Sequence, residues 1–111
     1  MKVTATRVTL GADPELTYTN SGAAIVSAYV AENRRKKKGD EWVNETSWFQ
    51  LKAFGKIAEW MSQDLSKGDS IAIDGEYVSD QYTNKDGEKK TSHTVFVNAF
   101  SKLAPRNQNE N

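Results

Sequence analysis

Glu45-Thr46-Ser47-Trp48-Phe49-Gln50-Leu51-Lys52-Ala53-Phe54 is the stretch on which the reading of this chain turns. A strand sends alternate side chains to opposite faces. Phe49, Leu51 and Ala53 then form an apolar face that suits a core. Trp48, Gln50, Lys52 and Phe54 form the other, a large ring at each end with polar groups between. Strand aromatics usually end in a core. Here the opposite face already offers Phe49 and Leu51, and the two rings share theirs with an amide and an ammonium group. The second face reads as a wet binding surface.

Working toward the N-terminus, Arg34-Arg35-Lys36-Lys37-Lys38 followed by Gly39-Asp40 reads as a basic loop. Ala23 to Glu32 reads as a strand with Ala24, Val26, Ala28 and Val30 on one face. Asn20-Ser21-Gly22 is a turn signal, and Asp13-Pro14-Glu15 is a break, because proline cannot donate to a sheet ladder. Val3 to Leu10, rich in Val and Thr, is the first strand: Val3, Ala5, Arg7 and Thr9 on one face, Thr4, Thr6, Val8 and Leu10 on the other. Toward the C-terminus the period changes. Ile57, Ala58, Met61 and Leu65 follow helical spacing between Gly55 and Lys67, with Gly68 as the stop. Ser70 to Ser79 returns to strand, with Ile71 and Ile73 inward and Gly75 at a bend or bulge. Asn84-Lys85-Asp86-Gly87 marks a hairpin tip, and Val95, Val97 and Ala99 mark the last strand. Three strands, one helix and two strands form an all-β plan with one helix. It is that of the OB-fold, a five-stranded Greek-key barrel with its helix between strands 3 and 4. Residues 1–104 are expected to form this domain, and 105–111 a short polar tail.

Composition narrows the function. The chain has 111 residues, room for one well-buried core. It has no cysteine and a single histidine, His93, so disulfides and thiolate metal sites are excluded, and common nucleophile constellations lack their parts. No phosphate-cradling glycine loop is present. Asp13 and Glu15 sit in a turn, Asp74 and Glu76 share a strand face without a metal motif, and His93 reads as a surface residue. No enzyme, cofactor or metal site is expected. Net charge is zero, which argues against coating nucleic acid by bulk charge, but the basic run concentrates a local positive field. With neither a signal-like start nor a membrane-length apolar run, the expectation is a soluble, cytoplasmic protein.

Taken together, several short stretches resemble the bacterial-type single-stranded DNA-binding proteins. They are Leu10-Gly11-Ala12-Asp13-Pro14-Glu15, Tyr18-Thr19 with Ser21-Gly22, Asn33-Arg34-Arg35, and Glu45-Thr46-Ser47-Trp48. Phe54-Gly55-Lys56-Ile57-Ala58-Glu59, Lys67-Gly68-Asp69-Ser70, Tyr82-Thr83 before Asp86-Gly87, and Thr94-Val95-Phe96-Val97 complete the set. The likeness runs from about Val3 to Leu103, and it lies in the number, order and spacing of the pieces. It implies stacking of bases on Trp48, Phe54 and Tyr82. It also implies a homo-oligomer, tetramer favoured over dimer, acting in replication, recombination or repair. Arg35 stands where many relatives carry tryptophan, trading a ring for charge, and Val8 stands where they usually carry glycine. The last residues, Asn107 to Asn111, lack the acidic, apolar tip through which chromosomal relatives recruit replication proteins, so recruitment of that kind is not expected.

The expected DNA contacts are the rings Trp48, Phe54 and Tyr82, with Trp42 on the approach to the third strand. The charge run Arg34, Arg35, Lys36, Lys37 and Lys38 would guide phosphates, because it lies beside an aromatic face. Lys52, Lys56, Lys85, Lys89 and Lys90 are weaker candidates, the field of Lys85 and Lys89 being lowered by Asp86 and Glu88. Trp60, between Ala58 and Met61, is expected to pack against the barrel end. The competing function on the same fold is a primosome-type replication accessory that acts mainly through protein contacts.

Overall fold

The computed structural model describes residues 1–105. Its elements are β1 (Lys2–Leu10), β2 (Glu15–Tyr18), β3 (Ala24–Lys38), β4 (Glu41–Phe54), α1 (Lys56–Asp64), β5 (Ser70–Thr83) and β6 (Lys89–Lys102). The sheet order is β1-β5-β6-β4-β3-β2, and β1 also pairs with β3. The five long strands therefore close into a barrel, the expected OB-fold, with β4 and β6 parallel and every other pair antiparallel. Closure is slight: β1 meets β3 only at Thr9↔Ala31 and Leu10↔Val30. β2 is a sixth, short strand that sequence reading passed over; the break ends before Glu15, which already pairs with Ser27. Among the barrel strands the helix still falls between the third and fourth.

The core follows the alternation. Ala24, Val26, Ala28 and Val30 from β3 meet Leu51 and Ala53 from β4, Ile71 and Ile73 from β5, and Val95 and Val97 from β6. Phe49 packs against this cluster from its edge. In two strands the expected phase is wrong, each time because of a bulge. In β1 the register shifts between Ala5 and Val8, so Val3 and Ala5 point the same way as Val8 and Leu10, and Val8 is fully buried. In β6 Asn98 is the extra residue opposite Asp74 and Gly75, which leaves Ala99 exposed and turns Phe100 toward the core. Gly75 sits at this bulge as expected: a Cβ there would collide with the Phe96 carbonyl oxygen.

Ala58, Met61 and Leu65 plug the barrel with the buried side of α1. The helix stops earlier than expected, with Leu65 as its extended C-cap; Gly68, at φ 91°, instead turns the chain into β5 and donates its N–H to the Leu10 carbonyl (2.9 Å). Trp60 does not pack as expected but is 52% exposed. The cause is angular, since about 100° per residue carries it roughly 160° from Ala58 and 100° from Met61.

The strands outgrow the barrel. β3 and β4 continue as an antiparallel arm to Lys38↔Glu41, so the basic run is strand and not loop. Gly39, at φ 60°, takes the first position of the two-residue turn that joins them. Glu41, Trp42, Val43 and Glu45 lie across from the cations and supply the ring, the β-branched residue and the opposite charge that make pairing favourable. β5 and β6 form the second arm, which ends at Thr83↔Lys89 and starts β6 well before Val95. Its tip is held by Asn84, whose side-chain oxygen accepts from the N–H groups of Asp86 (3.0 Å) and Glu88 (2.9 Å). The polar tail expected over 105–111 lies, after Pro105, outside the described residues.

Candidate nucleic-acid interface

β3 and β4 pair without a register break, so alternation holds from the barrel to the end of the arm. Trp42, Trp48, Gln50, Lys52 and Phe54 therefore share the outer face of β4. Beside them on β3 stand Lys37, Arg35, Asn33, Tyr29 and Ser27. The basic run is split by this geometry. Arg35 and Lys37 join the aromatic face, whereas Arg34, Lys36 and Lys38 face the other way, opposite Glu45, Val43 and Glu41. Across β6 the same outer face continues through Thr94 and Phe96, and along the second arm to Lys90 and Tyr82, which are directly paired.

All four expected rings stand in water: Trp42, Trp48, Phe54 and Tyr82 are each more than half exposed. Trp48 is held rather than loose. Tyr29 meets it edge-on at 5.5 Å between ring centroids, and Gly11 lies beneath it, where a Cβ would approach Trp48 Cζ3 to 2.7 Å. The Gly11 N–H donates to the Tyr29 carbonyl (2.9 Å), so the glycine and both rings form one unit. Phe54 stacks on Phe96, 6.0 Å away at 13°. The Arg35 guanidinium lies 5.6 Å from the Trp42 ring centroid, a cation–π contact that turns this charge toward the ring. Tyr29 and Phe96 were missed by sequence reading. The signal was there: each is out of phase with the core residues on both sides of it, Ala28 and Val30, Val95 and Val97.

The charges complete the picture. Among the described residues the ion pairs are Met1–Glu76 and Lys102–Asp69, so no cation of the arms is in ion-pair contact with a carboxylate, even where Glu41 and Glu45 stand across the ladder. The N-terminal ammonium, through its hydrogen bond first and its charge second, holds the Glu76 carboxyl below the usual carboxylate range and ties β1 to β5. Lys52 lies within the aromatic face and Lys56 begins α1 just past Phe54. Lys85 sits in the tip of the second arm, and Lys89, across from Thr83, points to the side opposite Lys90 and Tyr82. His93 is exposed and shares a 2.6 Å hydrogen bond with the Tyr77 hydroxyl, and among the described residues no group of acids and histidine is placed to hold a metal ion. The face holds no nucleophile–base pair. It offers flat rings spaced by amides, hydroxyls and cations, a surface complementary in shape and charge to planar, anionic polymers.

These features define an OB-fold with an aromatic, basic outer face. Solved structures share the fold: the small single-stranded DNA-binding protein of Streptomyces coelicolor superposes with a TM-score of 0.79 at 18% identity over 93% of this chain and 94% of that one. The Plasmodium falciparum SSB in complex with ssDNA gives 0.80 at 15% identity, with the same coverage. In sequence, the single-stranded DNA-binding protein of Borreliella burgdorferi is 35% identical over 86 residues, 77% of this chain and 58% of that protein. That of Neisseria meningitidis serogroup A is 32% identical over 101 residues, 90% of this chain and 58% of the relative. The chain thus spans a little over half the length of these relatives. The model of the single-strand binding protein family matches residues 7–103, and the chain belongs to that family. No helix among the described residues is long and apolar enough to cross a membrane.

Proposed function

We propose that this chain binds single-stranded DNA with little sequence preference, shielding it and opposing hairpins during replication, recombination or repair in the cytoplasm. The observation that carries the reading is the unbroken outer face of β4, on which Trp42, Trp48 and Phe54 stand exposed with Arg35, Lys37 and Lys52 beside them. Exposed rings accept any base, because every base has a π face, and cations alongside follow the phosphates. Duplex DNA is a poor ligand for such a face, since its bases are already stacked and hidden. Family membership supports the same conclusion. A titration of tryptophan fluorescence with oligo(dT), duplex DNA and single-stranded RNA, each at two salt concentrations, tests it. The expected result is salt-sensitive quenching by oligo(dT) and little by duplex. Quenching by duplex equal to that by oligo(dT) would overturn the reading, and a preference for RNA would redirect it.

Assembly belongs to the same proposal. β1 is paired to β5 along most of its length, but among the described residues its other edge has no strand partner from Lys2 to Arg7. Val3 and Ala5 of this strand also line a mainly apolar cleft of about 520 Å³ with Trp48, Phe49, Ile73 and Val95, on which Glu32 and His93 also stand. A free edge beside an apolar cleft favours a second copy. The chain acts as a homo-oligomer, tetramer ahead of dimer, that leads one strand across several subunits.

A further inference from the structure

Trp60 is a large ring left in water with no part in the face described above. It is 52% exposed, on a helix whose Ala58 and Met61 are buried. Lys56 precedes it by four residues, so the ammonium group and the ring lie on one helical stripe. Phe54 ends the row of rings on β4, and α1 begins two residues later. The Gly55 N–H donates to the Ala24 carbonyl (2.9 Å), which fixes the start of the helix to the end of the sheet. Exposed rings from two consecutive elements, Phe54 of β4 and Trp60 of α1, thus stand where β4 stops.

We propose that α1 prolongs the single-strand path beyond Phe54, with Trp60 stacking a further base and Lys56 meeting a neighbouring phosphate. The inference rests on the single-stranded DNA reading above. Two observations favour nucleic acid over a protein partner here. The ring row on β4 runs to within two residues of the helix, and Lys52 and Lys56 stand on either side of its last member. Protein-docking patches, by contrast, are depleted of charge at their centre, whereas the neighbours of Trp60 on the helix surface include Lys56, Gln63 and Asp64, all exposed.

A chain carrying Trp42→Phe and Trp48→Phe keeps a ring at both positions and leaves Trp60 as its single tryptophan. Its emission is expected to be quenched by an oligo(dT) of about 16 nucleotides and far less by one of about 4, which is covered by the barrel face alone. Trp60→Ala in the otherwise native chain is expected to lose about tenfold in affinity for the long oligonucleotide and little for the short one, with Trp60→Phe restoring most of it. Labelled-oligonucleotide anisotropy reads binding independently of the tryptophan. Bound DNA without quenching of Trp60 overturns the inference, as does an equal loss at both lengths. So does unchanged affinity with a fallen mass in light scattering, which would assign the ring to a subunit contact. If the native chain binds neither oligonucleotide, the single-strand reading itself fails, and this extension with it.

Discussion

A ring that stands in water on a folded protein needs a reason, and the outer face holds several. Removing Trp48, Phe54 or Tyr82 as alanine variants is expected to leave thermal unfolding nearly unchanged while weakening oligo(dT) binding by about 1–3 kcal/mol each. Variants that unfold while their folded fraction binds normally would place these rings in the core instead. Gly11 offers a finer test, because its missing Cβ makes room for the Trp48 ring. Gly11→Ala should displace the ring, visible in near-ultraviolet circular dichroism, and weaken binding. Combined with Trp48→Ala it should add almost no further loss, since both changes act through one side chain. At this scale the sequence was informative where alternation was regular: Trp48, Phe54 and the inward Leu51 were placed by period alone. It misled at Trp60, where nearness in sequence to Ala58 and Met61 hid a helical angle that faces water. Tyr29 went unmarked because the strand around it was read only for its core side.

Strands and turns were legible wherever one local rule acted alone. The helix showed its 3.6-residue period, and Asn84-Lys85-Asp86-Gly87 showed its turn chemistry. Bulges defeated the reading of β1 and β6, since one inserted residue reverses which side chains face inward. The basic arm was lost for another reason: five consecutive cations have no apolar alternation, and their strand pairing depends on Glu41, Trp42, Val43 and Glu45 across the turn. Gly39-Asp40 was the available clue, a two-residue hairpin turn with glycine first. The arm's two faces make unequal predictions. Replacing Arg35 and Lys37 by glutamine should reduce the slope of log K against log salt by about 0.7 for each phosphate deprived of its cation. Replacing Arg34, Lys36 and Lys38, which face away from the rings, should change it less despite removing more charge. Equal flattening per residue by both sets would show that DNA reads the arm as a diffuse charge and not as a face.

For the whole molecule, sequence order was enough to give the barrel, but not how it closes or what projects from it. A strand of 15 residues reaches about 50 Å, and the molecule measures 54 Å along its longest axis against 25 Å along its shortest. In the proposed oligomer, such arms would suit a ligand that passes from one subunit to the next. Light scattering at micromolar concentration is expected to give a multiple of the 12.4 kDa chain mass, four chains ahead of two. A single-chain mass that persists with DNA bound would sink the oligomer. The narrow meeting of β1 with β3 has a consequence for motion. A sheet rolled into a tube and fastened over two residue pairs has a seam, and a seam is where opening starts. The amide hydrogen of Gly11, which crosses the seam to the Tyr29 carbonyl, is expected to exchange with solvent sooner than those of Ile73 and Val95 in the long β5–β6 ladder. Trp48 lies directly over Gly11 and is paired with Ala31, which is itself in the seam. A base resting on that ring would press the fastening shut, so oligo(dT) should slow exchange at Gly11 more than its own contacts with DNA would explain. On the proposed function, the bound strand would then, in passing, hold the barrel closed.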